Sequence, residues 1–319
     1  MDFGSLLQII LTLFLMIATG VLCRKVGIID NIASKKLSEL IIKIGQPMMI
    51  VAALAKQEFT DENLQLAGIA TLIGIVMHIV MAGLAYLLCL PLKKQPTLRN
   101  VIEFTSIFAN CGFLGFPIME ALLGQQGLFM AAFYVIGFNL GIWTWGLYVI
   151  GRGTGSVKIT VKKVFLNFGT VPCTIGAILF LMRWPFASFQ LPPFLMNFLN
   201  YLGNLCTPIS VLITGALLAT IPLGQLFKTK AIYYGCLIKL VIIPVIVCFA
   251  AHLMGLSDLI TIFCTAMAAL PSAASVTMFC EMYELEGSHE ASQMVGTTSV
   301  LCLGTFPLIM LLADLICKI

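Results

Sequence analysis

The 319-residue sequence predicts an all-α membrane protein of ten transmembrane helices, arranged as two inverted repeats of five. Three observations carry that prediction: an extreme composition, a one-sided distribution of basic residues, and a motif spacing that recurs in both halves. Hydrophobic residues make up 60% of the chain and charged residues 10%, with a mean hydropathy of +1.05. A soluble domain carries about 25% charged residues, so this composition excludes a soluble globular fold. Each helical crossing takes about 20 apolar residues, and the length accommodates roughly nine to eleven of them.

Apolar segments fall at residues 5–23, 34–55, 64–90, 101–123, 127–150, 165–183, 193–219, 230–254, 258–281 and 291–316. The first is long enough to span and has no small-residue cleavage site after a short core, so it reads as a helix and not a leader. Arg24, Lys25, Lys35 and Lys36 follow it; Lys93, Lys94 and Arg99 follow the third span. Arg152, Lys158, Lys162 and Lys163 follow the fifth, and Lys228 and Lys230 precede the eighth. Ten crossings put all of these on one side, leaving Lys56, Arg183 and Lys318 opposite, together with Glu58, Asp61 and Glu62. The positive-inside rule then makes that side cytoplasmic and both termini extracytoplasmic, in a multi-pass protein of the cell membrane. The acidic connection Glu281–Glu290 also falls inside, but acidic residues weigh little in orientation.

Cys89, Cys111, Cys173, Cys206, Cys236, Cys248, Cys264, Cys280 and Cys302 all lie in or beside apolar segments without CxxC spacing. They read as packing residues, not as a disulfide or zinc framework. Residues 151–163, short, basic and glycine-containing, form a linker between a first unit at 1–150 and a second at 164–319.

Gly45-Gln46-Pro47 in the second span is matched by Cys206-Thr207-Pro208 in the seventh, an offset of 161 (208 − 47). The same offset sets Asn110 opposite Pro271, His78 opposite Lys239 and Glu120 opposite Glu281. Five spans per unit make the second copy enter from the other face, an organisation of secondary transporters with the site where the halves meet.

That site is expected at Asn110-Cys-Gly-Phe-Leu-Gly-Phe-Pro117 and at Ala268-Ala-Leu-Pro-Ser-Ala-Ala-Ser-Val-Thr277. Glycine and proline free backbone groups within a membrane helix, and such groups persist only where protein or water covers them. The second half of an interrupted helix then offers its positive end to an anion. Asn110 is placed to cap one half-helix, with Gly112 giving close access to the backbone. Pro271 ends the other first half and Ser272 is placed to cap the next half-helix, with the Ser275 and Thr277 hydroxyls close behind. Ser and Thr can equally bond back to their own helices. Gln46 and Thr207, just before the matching prolines, are placed to line the facing space. Lys239 lies in an apolar run and either supports the site or coupling, or snorkels to the cytoplasmic edge or pairs structurally. His78, its repeat counterpart, is either a packing residue or a proton-handling one.

Zinc-protease, phosphate-loop and serine-hydrolase signatures are absent from the sequence. The reading therefore includes no enzyme activity, no cofactor, no metal and no nucleic-acid partner. It expects a small carboxylate substrate, a proton or sodium ion for coupling, surrounding lipid, and leaves room for a homodimer. A membrane ligand sensor on the same fold is disfavoured by the lack of sequence left for an output domain. An anion channel is disfavoured because only Lys239 could line its pore.

Asn110-Cys-Gly-Phe-Leu-Gly-Phe-Pro-Ile118, Leu270-Pro271, Thr297-Thr298-Ser299 with Thr305-Phe-Pro307, and Lys239-Leu-Val-Ile-Ile-Pro244 resemble the auxin efflux carrier family, in its bacterial branch. Lysine stands at 239 where the family pattern has arginine. The resemblance implies broken helices 4 and 9 that cross, as in sodium/proton antiporters and bile-acid symporters. It implies a scaffold of helices 1, 2, 6 and 7, with helices 3–5 and 8–10 moving like an elevator. It also implies export or import of organic anions such as malate, malonate or auxin-like acids.

Overall fold

A computed structural model describes residues 3–154, 162, 166–184, 189–220 and 230–318. Most of the linker expected at 151–163, with Lys158 and Lys163, and also Lys228, lie outside the described residues. Among the described residues eleven helices longer than one turn follow in order: α1 Phe3–Lys25, α2 Asn31–Lys56, α3 Asp61–Leu88, α4 Pro96–Ile107, α5 Cys111–Ile150, α6 Thr170–Leu181, α7 Pro193–Leu218, α8 Lys230–Leu253, α9 Asp258–Ala269, α10 Ser275–Met282 and α11 Ser288–Cys317. Helices α2, α3, α5, α7, α8 and α11 are long and apolar enough to cross a membrane. Among the described residues there is no strand, only one isolated antiparallel bridge, Ala109 with Ser272.

Local chemistry accounts for the helix starts and irregularities. Asp30 accepts the Ala33 N–H at 2.6 Å, and Thr60 accepts the Asn63 N–H at 3.1 Å, capping α2 and α3. Three prolines stay inside helices because the turn before each is widened to π geometry. Ile41–Gly45 precedes Pro47, Cys111–Gly115 precedes Pro117, and Ile238–Ile242 precedes Pro244. Each wide turn relieves the clash of the ring with the preceding turn and absorbs its missing N–H. Helix α5 reverses its conformation at Gly124 (φ 60, ψ −146), which divides it into two arms.

Helices pack most closely where glycines meet. A Cβ on Gly20 in α1 would sit 2.1 Å from the Leu212 carbonyl oxygen of α7, and one on Gly215 would sit 2.0 Å from that of Ile17. Helix α3 meets the second arm of α5 in the same way: a Cβ on Gly74 would lie 2.4 Å from the Tyr134 carbonyl oxygen. Such contacts let backbones approach without a strong hydrophobic drive between helices.

Helices α4 and α9 occupy the interior. Residues Thr261 to Ala269 are buried without exception, as is α4 from Val101 to Ile107. Helix α3, by contrast, exposes Leu72, Ile79 and Leu87 along one face. The enclosure of α4 and α9 follows from their ends: both stop at interruptions whose polar backbone hydrocarbon could not solvate.

Candidate functional site

The chain leaves helical geometry at Phe108–Asn110, between α4 and α5, and at Leu270–Ala274, between α9 and α10. The first break lies just upstream of where the sequence places it. Pro117 does not interrupt the helix, because the π turn at Cys111–Gly115 accommodates it. The two breaks pair with each other. The Asn110 N–H donates to the Pro271 carbonyl at 2.8 Å, and the Ala273 N–H donates to that of Phe108 at 2.9 Å. Each exposed backbone segment thus satisfies part of the other.

At the first break, the Asn110 side chain accepts the Phe113 N–H at 3.2 Å and caps α5. The Cys111, Leu114 and Gly115 amides bond locally to the Ala109 and Asn110 carbonyls. Among the described residues the Gly112 amide has no partner. A Cβ at Gly112 would lie 3.2 Å from Gln46 Nε2, so the buried carboxamide of Gln46 faces this glycine across the gap from α2.

The second break is tied down more completely. The Ser272 hydroxyl donates to the Thr105 carbonyl at 3.2 Å, and the Ser272 N–H donates to Thr298 Oγ1 at 3.2 Å. Ser272 therefore does not cap α10, contrary to expectation: its side chain turns back to α4, whose terminal carbonyls lack helical partners. Ser275 begins α10, and its buried hydroxyl has no partner among the described residues. Thr277 follows, half-buried, on the same helix.

Residues 5–310 match the family described as membrane transport protein, that of the auxin efflux carriers. The chain belongs to this family. It is 24% identical over 305 residues to an uncharacterized transporter of Methanocaldococcus jannaschii, covering 92% of this chain and 94% of the relative. A second uncharacterized transporter, from Methanothermobacter thermautotrophicus, is 24% identical over 172 residues, covering 52% and 54% of the two chains. With its apolar helices, the protein is a multi-pass membrane transporter acting on a small molecule.

The remaining expected residues of the transporter divide into near and far. Lys239, fully buried in the π turn of α8, donates from Nζ to the Ala268 carbonyl at 3.1 Å. It does not snorkel: the last carbonyls of α9 are the negative end of that helix, and a buried cation there is compensated by them. His78 is likewise buried, its Nδ1 2.5 Å from the Gly74 carbonyl oxygen, and its ring stacks on Phe108 at the first break. Thr207 lies farther along, donating to Glu120 at 3.2 Å. Both border a polar cleft of about 150 Å³ with Lys56, Gln125, Asn200 and Asn204.

Two groups at the site carry no sequence signal strong enough to select them. Thr298 was one of several polar residues in the last apolar segment, and only packing brings it to Ser272. Glu103 is fully buried behind the first break, held by Arg152 through two bonds of 2.8 and 3.0 Å, with Arg99 Nε at 3.8 Å. Hydrogen bonding to Glu103 pushes the Arg152 guanidinium above its ordinary pKa. All nine cysteines named from the apolar segments are buried thiols.

Proposed function

We propose that the protein is a secondary-type carrier for small organic anions, with the substrate carboxylate held at the start of α5 and at α10. The carrying observation is the Gln46 carboxamide facing the unpartnered Gly112 amide beside the Asn110 cap. A helix N-terminus with an open amide favours negative charge, and Gln46 adds a donor without adding a cation. Pro271, Ser272, Ser275 and Thr277 contribute from the second break, the first two through its geometry. Thr207 and Glu120 border the extracytoplasmic approach, since Gln46 to Lys56 and Gly112 to Glu120 run the same way along α2 and α5. Lys239 and His78 support the breaks and are the candidates for coupling to a proton or sodium ion.

The architecture we infer has ten crossings. At 40 residues α5 would extend about 60 Å, twice a hydrocarbon core, so its arms either side of Gly124 cross separately. α4 with the first arm makes one crossing, and α9 with α10 another. The contacts support inverted repeats: α1 packs on α7 as α2 packs on α6, the exchange expected between units 1–150 and 164–319. The two break hydrogen bonds are also related to each other by one offset (271 − 108 and 273 − 110 both equal 163), two residues longer than the proline offset. On this reading α1, α2, α6 and α7 form a scaffold against which the rest slides, in the cell membrane with both termini outside.

The test is transport of labelled malonate and malate into proteoliposomes, with ligands first ranked by thermal shift of the purified protein. Asn110→Ala should lower transport about 10- to 100-fold, the effect of one hydrogen bond to a charged group, while the protein stays monodisperse. Unchanged transport removes Asn110 from the site.

A further inference from the structure

A groove of about 580 Å³ runs between α3 and the second arm of α5, with His78 and Phe108 of the first break in its wall. That volume is in the range of ligand pockets. Its walls are apolar, formed by Ile75, Ile79, Gly83, Leu140 and Trp145 among others, and Ile79 is 66% exposed. In a membrane this face meets lipid.

His78 is the one ionisable imidazole in that wall. It is 5% exposed, and its Nδ1 lies 2.5 Å from the Gly74 carbonyl oxygen of the preceding turn. A carbonyl only accepts, so the Nδ1 carries the hydrogen and the neutral ring keeps Nε2 as a bare acceptor. Nε2 has no partner among the described residues. Folding Nδ1 back on α3 turns Nε2 away from that helix; the rings of Phe108, Tyr134 and Phe138 pack around the imidazole, and the Tyr134 hydroxyl, itself without a partner among the described residues, does not bond to it. A buried unpaired acceptor is unfavourable and is relieved by a donor arriving from outside the chain.

We propose that this groove is a binding site for a single-chain bilayer amphiphile presenting an O–H donor, the hydroxyl bonding to His78 Nε2 and the chain lying along Ile75, Ile79 and Trp145. Ionised carboxylates are refused, because an acceptor would face an acceptor in an apolar cleft. The site is distinct from the anion position at Gly112, and lies against the helix that carries the first break through the stacking of His78 on Phe108.

Trp145 reports on the groove directly. In a Trp143→Phe, Trp184→Phe background, the full-length protein in nanodiscs is titrated with a chain-brominated long-chain alcohol and, separately, with its methyl ether. The alcohol should quench Trp145 at about fivefold lower mole fraction, the effect of one hydrogen bond. His78→Phe should abolish the difference. Gly83→Leu should do so independently by filling the groove, since a Cβ there meets nothing within 4 Å. Equal quenching by alcohol and ether, absence of quenching, or a preference that survives Gly83→Leu overturns the proposal.

Discussion

The two helix breaks are built from similar residues and bond to each other, yet they are finished differently. The one at Phe108–Asn110 ends in a capping asparagine, an unpartnered Gly112 amide and a carboxamide facing it from another helix. The one at Leu270–Ala274 has its serine bonded to α4 and α11, and Lys239 at the helix end that precedes it. The first keeps hydrogen-bonding capacity in reserve; the second spends most of its own on the fold and leaves the Ser275 hydroxyl open. Two breaks bonded to each other can therefore differ in role, the first supplying most of the proposed ligand contacts and the second fixing the pairing.

The contrast is broken most severely at its open side. Gly112→Leu should abolish transport with little change in melting temperature, because the atoms nearest an added Cβ are those of the Gln46 carboxamide, the far end of a flexible side chain. A variant that transports normally would place the ligand elsewhere. Next in size is Arg152→Ala, which strips Glu103 of its bidentate partner behind the first break. With a buried carboxylate left to Arg99 alone, denaturant unfolding in micelles should show a loss of about 3 kcal/mol. Thr298→Val is smaller: it removes the acceptor of the Ser272 N–H, and an unsatisfied buried donor costs about 1–3 kcal/mol. Its effect should appear in stability first and in transport only as far as the second break loosens. Smallest is Ser275→Ala. Its hydroxyl has no partner among the described residues, so the melting temperature should stay within about a degree, while a raised apparent KM would assign the hydroxyl to the ligand.

Much of this was legible beforehand, and the reasons differ by residue. Asn110 and Pro271 stand out because asparagine, glycine and proline in a long apolar run are local anomalies, and each break lies within a few residues of them. Ser272 was misread for a related reason. A serine after a proline suggests a cap, but an acceptor-rich helix end at Thr105 competes for its hydroxyl. Lys239 was visible as a cost in an apolar run, whereas its partner, the Ala268 carbonyl, was not. Nothing local in the sequence singles out Glu103, and its partner Arg152 arrives from just beyond the far end of α5.

By itself the sequence determined that the chain is helical and lives in a membrane, because 60% hydrophobic residues admit no other solvent. It also determined where the helices could fail, since proline and glycine act on their own turn. Only the tertiary structure decided which freed groups would be satisfied and which left open. Those partners lie far apart in the chain, as Asn110 does from Pro271. Hydrogen bonds across such separations are set by how helices pack, and local composition does not record that.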